Sequence, residues 1–309
     1  MIMNVLSVSA KACRLTLTSL LLGALAAPLC INAYALADTK AEAKTDAVMG
    51  TDGRPNILVI LADDLGYSDI ASYGSEISTP NLDKLAQKGL RFSNYHTSAS
   101  CAPTRAMLLS GVDSHRAGVA NISEALTPDQ AHSTFYRGSL NHNVVTIATL
   151  LRDAGYNTSM AGKWHLGYKD ASLLPINRGF EQTVTMPFSG GDNWTQQAYV
   201  PHYEKTLWFE NGEEITIPED FYSSKFIVDK TIKQLENNRQ KDETKNKPFF
   251  SYVSFQAVHI PVQAPKAFTE KYVGSYKGGW DQLRLRRQQA VRDLGLLPAN
   301  APMKRMPTT

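Results

Sequence analysis

The sequence predicts an α/β fold with a largely parallel sheet flanked by helices, and three observations predict it. A short, continuous apolar run, Ile57 to Ala62, has the character of a strand buried on both faces and stops abruptly at Asp63-Asp64. Strand-like and helix-like segments then alternate along the chain, the pattern of strand–helix–strand units. Asp63, Asp64 and His259 fall at the carboxyl ends of expected strands, where open α/β sheets gather their functional groups.

The elements follow in order. Thr79-Pro80 supplies an N-cap and a first-turn proline for a helix through Lys88, with Leu82, Leu85 and Ala86 on one side and Gly89 as its stop. Leu90 to Tyr95 suits another strand. Pro103 to Ser110 reads as a short helix closed by Gly111, which puts Cys101 in the turn just before a helix start. Thr146 to Ala154 is a helix ended by Gly155, and the extended segment Tyr156 to Ala161 leads into Gly162-Lys163-Trp164-His165. Between about Asn177 and Lys247 the pattern is irregular apart from a hairpin around Asn211-Gly212. Phe249 to Val258 is a late strand that delivers His259, and Asp281 to Leu294 is a helix capped by Gly295.

Composition excludes several classes. With 43% apolar and 20% charged residues in 309, the chain is neither disordered nor fibrous. A net charge of +3 from scattered basic residues lacks the concentrated basic face that nucleic acid requires. Lys11 and Arg14, the apolar run Leu15 to Ala27 and Ala35-Leu36-Ala37 form a secretory signal peptide over 1–37, with Pro28 and Asn32 interrupting a stretch already short for a bilayer span. The expected location is periplasmic or secreted, with no membrane partner after cleavage. Residues 38–54 are polar and Ala/Lys/Asp-rich, a disordered leader, and 55–309 carry the folded part. Cleavage removes Cys13 and Cys30 and leaves Cys101 alone in an oxidising compartment, either as a buried small hydrophobe or as a reactive, modified residue.

Adjacent carboxylates repel unless a cation lies between them, so Asp63-Asp64 is either a hard-cation site suited to Ca²⁺ or Mg²⁺ or a polar turn. Cys101-Ala102-Pro103-Thr104-Arg105 joins a helix start to a fixed guanidinium, which suits an oxyanion. Lys163 and His165, two apart, share a face if their segment is extended, while Trp164 points into packing. His115 reads as an exposed loop histidine or a supporting group.

C-A-P-T-R resembles the C-x-P-x-R core of the sulfatase signature, continued by Leu109-Ser110-Gly111. Gly162 to Gly167 is similar to the second sulfatase signature, Asn56 to Gly66 to the family's opening strand and metal-binding pair, and Ala257 to Pro261 to its late-strand histidine segment. Bacterial arylsulfatases are the nearest resemblance. It implies an alkaline-phosphatase-like fold and hydrolysis of a small sulfate ester by a formylglycine, made from Cys101 by a maturation enzyme. It implies that Asp63, Asp64 and residue 101 bind the divalent metal. Arg105 would steady the formylglycine, and Lys163 the sulfate oxygens. His259 would help protonate the leaving alcohol, and His165 would take a proton from the second hydroxyl to expel sulfate. Ser189 would approach the sulfate.

Family members continue well beyond this length and bring a later Asp-Asn pair and a second lysine to the site. Asp192-Asn193 matches that pair in composition only, so the fold is expected to be incomplete at its C-terminus and the chain to have little activity alone. The rival readings are a phosphatase or phosphodiesterase of the same superfamily, whose nucleophile would be Ser or Thr, and a non-catalytic sulfatase-like protein.

Overall fold

A computed structural model of the chain describes residues 53–130 and 132–303. The signal segment 1–37 and nearly all of the leader 38–54 lie outside the described residues. Six strands form one sheet: β1 (Ile57–Leu61), β2 (Asn157–Lys163), β3 (Gln182–Met186), β4 (Trp208–Glu210), β5 (Glu213–Ile215) and β6 (Phe249–Ser254), in the order β1-β6-β2-β3-β4-β5. The first four in that order run parallel, and β3-β4-β5 continue antiparallel, so the sheet is mixed and largely parallel as expected. The β4–β5 turn is Asn211-Gly212 with φ of 51° and 94°, the left-handed pair that a two-residue hairpin of the right twist needs.

Helices cover both faces. On one side, α2 (Cys101–Ser110) and α3 (Ile147–Asp153) place Ala102, Ala106, Leu109 and Ala148 against Met160 of β2 and Phe250 and Tyr252 of β6. On the other, α4 (Ser223–Gln240) sets Ile227 against Ala161, Val184 and Val253. Successive residues of β2 and β6 therefore feed opposite cores, as the two-residue period of a strand requires. Three further helices are α1 (Pro80–Lys88), α5 (Lys266–Thr269) and α6 (Gly279–Asp293).

Several segments depart from the sequence reading. Leu90 to Tyr95 is coil, with Leu90 exposed; a run of strand formers becomes a strand only beside a partner, and the sheet offers it none. β1 is an edge strand, so Leu58 and Ile60 remain exposed rather than buried on both faces. The irregular 177–247 stretch contains the 18-residue α4. Its buried positions include Thr231, Gln234 and Asn238, so its inner face carries amides and a hydroxyl in place of an apolar stripe. Each has a partner: Gln234 donates to the Met160 carbonyl (3.1 Å), Asn238 accepts from Gln182 (2.7 Å), and Thr231 donates to the Ile227 carbonyl (2.8 Å). Cys101 is the first residue of α2 rather than part of the preceding turn.

Candidate active site

The parallel register brings three strand ends together. Leu61 and Gly162 both pair with Ser254, so the segments leaving β1, β2 and β6 emerge side by side. Beyond the ladder, the Asp63 amide donates to the Ala257 carbonyl and the Val258 amide to the Asp63 carbonyl, both at 2.9 Å, locking the β1 and β6 exits to each other. Gly162 sits at φ 111°, where a Cβ would lie 1.8 Å from the Ser254 carbonyl oxygen; only glycine admits this approach of β2 to β6.

Asp63 is buried between two cations. Its Oδ1 accepts from Arg105 Nη2 at 3.1 Å and its Oδ2 from Lys163 Nζ at 2.5 Å. Arg105 also donates through Nη1 to the Lys163 carbonyl (3.0 Å), the Tyr252 hydroxyl (3.3 Å) and Ser254 Oγ (2.5 Å), while its Nε is buried without a hydrogen-bond partner. Burial pushes the Asp63 carboxyl up, but Arg105 and Lys163 outweigh it and hold the group below its ordinary value. Two buried cations against one buried carboxylate leave an excess positive charge, which favours an anionic guest.

Cys101 opens α2 beside this cluster, with Sγ 3.2 Å from His165 Nδ1. Burial raises its thiol, but the His165 hydrogen bond and the Lys163 charge prevail and lower it. His165 Nε2 in turn meets Glu124 Oε2 at 3.1 Å, and the Tyr203 hydroxyl donates to Glu124 Oε1 at 2.6 Å. Asp64 and His165 both adopt φ 57°, a left-handed backbone uncommon for non-glycine residues. Trp164 between Lys163 and His165 is fully buried, its indole donating to the Leu173 carbonyl (3.0 Å).

The remaining sequence candidates separate. Asp64 turns outward, 58% exposed, with Oδ2 3.6 Å from His259 Nε2. His259 lies with its ring 5.1 Å from that of Tyr199, whose hydroxyl is 2.7 Å from the buried Ser189 Oγ. His115 is exposed and faces Asp113, Phe135 and Tyr136. Asp192 Oδ1 accepts from the amides of Trp194 and Thr195 (2.9 and 2.8 Å) and Oδ2 from Gln263 (2.6 Å), so this carboxylate organises its own loop. Asn193 Oδ1 accepts from Ser223 and Gln256 at 2.5 and 3.0 Å. Among the described residues, no group of three or more His, Cys, Asp or Glu side chains is gathered for a metal ion. Glu124, Tyr203 and Tyr199 reach the site from irregular segments, where no sequence motif or periodicity marks them.

A mixed sheet sandwiched by helices, with charged groups at the carboxyl ends of its parallel strands, is the α/β architecture of the alkaline-phosphatase-like fold. The chain belongs to the sulfatase family: the family's Sulfatase model matches residues 55–297. It is 40% identical over 82% of its length to an uncharacterised sulfatase of Schizosaccharomyces pombe, covering 47% of that protein. To an arylsulfatase of Klebsiella aerogenes it is 36% identical over 81% of its length, covering 53% of that protein. The chain thus spans about half the length of these relatives. Among solved structures, it resembles Ps i-CgsB with a TM-score of 0.60 at 28% identity, covering 78% of this chain and 53% of that one. BT4656, solved with its substrate D-glucosamine-2-N,6-O-disulfate, matches with a TM-score of 0.55 at 27% identity, over 72% of this chain and 38% of that one.

Proposed function

We propose that this chain carries the nucleophile half of a sulfuric ester hydrolase of the arylsulfatase type, with Cys101 converted by a formylglycine-generating enzyme. The observation that carries the reading is Cys101 at the first residue of α2, 3.2 Å from His165 Nδ1 and beside the buried Arg105–Asp63–Lys163 cluster. A formylglycine at 101, hydrated to a diol, would supply an oxygen nucleophile and a second hydroxyl. The slot suits it, because an oxygen on the Cys101 side-chain carbon would stay within hydrogen-bonding reach of His165.

The side chains divide the work. Arg105 fixes the floor beneath residue 101, since four of its hydrogen bonds hold the guanidinium against β2, β6 and Asp63. Lys163 lends positive charge to bound sulfate, although its Nζ rests on Asp63 here. His165 takes a proton from a hydroxyl on residue 101. His259, with Nε2 3.6 Å from Asp64, donates a proton to the leaving alcohol, while Ser189, linked to the His259 ring through Tyr199, borders the substrate. The substrate is a small sulfate ester, in keeping with the disulfated glucosamine bound to BT4656.

Asp63 and Asp64 offer hard oxygens to Ca²⁺ or Mg²⁺. The described residues do not complete such a site: both Asp63 oxygens hold cationic side chains, Asp64 points outward toward His259, and no group of three or more His, Cys, Asp or Glu side chains is gathered there. Ion binding therefore draws on groups beyond these two and residue 101. An exported location is part of the reading; no helix among the described residues is long and apolar enough to cross a membrane.

The test is coexpression with a maturation enzyme, followed by mass spectrometry of the Cys101 peptide and assays on chromogenic aryl sulfate and aryl phosphate. Loss of the thiol, gain of an aldehyde and turnover of the sulfate in preference to the phosphate are expected, with Cys101→Ala inactive. A peptide found only as free thiol, or preference for the phosphate, would overturn the proposal. N-terminal sequencing of exported protein should begin near Asp38.

A further inference from the structure

Glu124 lies outside every motif named above, in a short 3-10 turn (Ser123–Ala125) between α2 and α3. Its side chain is 7% exposed, and both its oxygens are engaged, Oε2 by His165 Nε2 at 3.1 Å and Oε1 by the Tyr203 hydroxyl at 2.6 Å. An ionised carboxylate only accepts hydrogen bonds, so His165 Nε2 must carry the hydrogen between them. A neutral imidazole protonated there has its lone pair on Nδ1, the atom 3.2 Å from Cys101 Sγ. Buried carboxylates that fix the tautomer and ring orientation of a catalytic histidine act in this way.

We propose that Glu124, held in place by Tyr203, is a positioning residue that fixes His165 as the proton acceptor facing residue 101. For the reaction this rests on the sulfatase reading; for the tautomer it rests only on the geometry. Burial pushes the Glu124 carboxyl up, yet the bonds from His165 and Tyr203 hold it far below its ordinary range, which keeps it ionised. The proton of a hydroxyl on residue 101 passes to Nδ1, and the O–H bonding pair stays on that oxygen. The hydrogen on Nε2 remains in its bond to Glu124, whose charge offsets the new imidazolium. Tyr203 is itself immobilised, its ring centroid 4.5 Å from that of Phe188 and 6.3 Å from that of Tyr168, so the carboxylate has a fixed second anchor.

The experiment has one arm that needs no turnover. Long-range proton–nitrogen NMR of histidine-labelled chain carrying Cys101→Ser, with His165 assigned by its absence in His165→Asn, reports which ring nitrogen holds the hydrogen. Nε2 protonation is expected, with the preference lost in Glu124→Gln and weakened in Tyr203→Phe. The second arm, on matured enzyme, expects Glu124→Gln to lower kcat by about 10²-fold or more with KM nearly unchanged, and Glu124→Asp to recover part of it. An unaltered His165 tautomer in folded Glu124→Gln and Tyr203→Phe would overturn the proposal. Absence of turnover in the matured parent would count against the sulfatase reading alone, because the tautomer arm still decides the role of Glu124.

Discussion

Asp63 is the counter-charge on which two buried cations depend. Arg105 and Lys163 are 1% and 0% exposed and meet the same carboxylate, so neutralising it strands both. Breaking a buried ion pair from one side costs about 3–5 kcal/mol, because the surviving charge has neither water nor partner. Asp63→Asn is accordingly expected to lower the unfolding free energy by that order, measured by urea denaturation followed by circular dichroism. Asp64→Asn, one residue later but exposed, should stay within about 0.5 kcal/mol of the parent. Equal effects from the two would show that Asp63 is not the electrostatic centre of the cluster. Sequence reading identified both carboxylates as a pair. Which of the two turns inward depends on Arg105 and Lys163, which the fold brings to Asp63 from α2 and β2.

At the scale of elements, the site depends on how closely β2 approaches β6. Gly162→Ala would drive a methyl into the Ser254 carbonyl at a φ that side chains resist, and should destabilise the fold by well over about 1 kcal/mol. Retention of the parent's denaturation midpoint would mean the strands can part without loss. A second element-scale contact holds α6 against the segment before α1. Arg287 donates to both Glu76 oxygens at 2.9 Å and also pairs with Asp69. The Arg287 guanidinium holds the Glu76 carboxyl at about 2, well below the usual carboxylate range. A depressed folded-state value means the stabilisation is complete above pH about 4.5 and is lost as pH falls towards about 2. The stability advantage of the parent over Arg287→Ala should therefore shrink across that window in urea melts, and an advantage constant from pH 6 to pH 2 would contradict it. β1, β2, β6 and most of α1, α2, α3 and α6 were legible because apolar runs, proline starts and glycine stops mark them. The helix α4 was not, since it buries Thr231, Gln234 and Asn238 through hydrogen bonds that leave no apolar period. Glu124 was equally silent, because a loop carboxylate takes its role from the His165 and Tyr203 that the fold brings to it.

For the whole molecule, the sheet edge and the ion site point the same way. β1 is an edge strand with Leu58 and Ile60 half exposed, and the β6 exit adds the exposed Val258, Ile260 and Val262. An uncovered edge with apolar side chains favours association with other chains. Under the metal-assisted reading, a cation that prefers six or more oxygen ligands would find both Asp63 oxygens held by Arg105 and Lys163 and Asp64 turned outward, while Asp192 is committed to its own loop. Water can fill vacant positions, but affinity falls as charged ligands are lost. A single preorganised donor at a developing charge is typically worth on the order of 10²–10³ in rate, so a Lys163 held on Asp63 rather than on the sulfate weighs heavily. The 309-residue chain is therefore expected to hydrolyse aryl sulfate far more slowly than the Klebsiella enzyme, of which it covers 53%, when both are matured identically. Calcium titration calorimetry on the same samples should show weaker binding to the shorter chain. Comparable turnover and comparable calcium affinity would place the remaining ligands within these 309 residues, and Asp192→Asn, which should otherwise leave calcium binding untouched, would then be the first variant to abolish it.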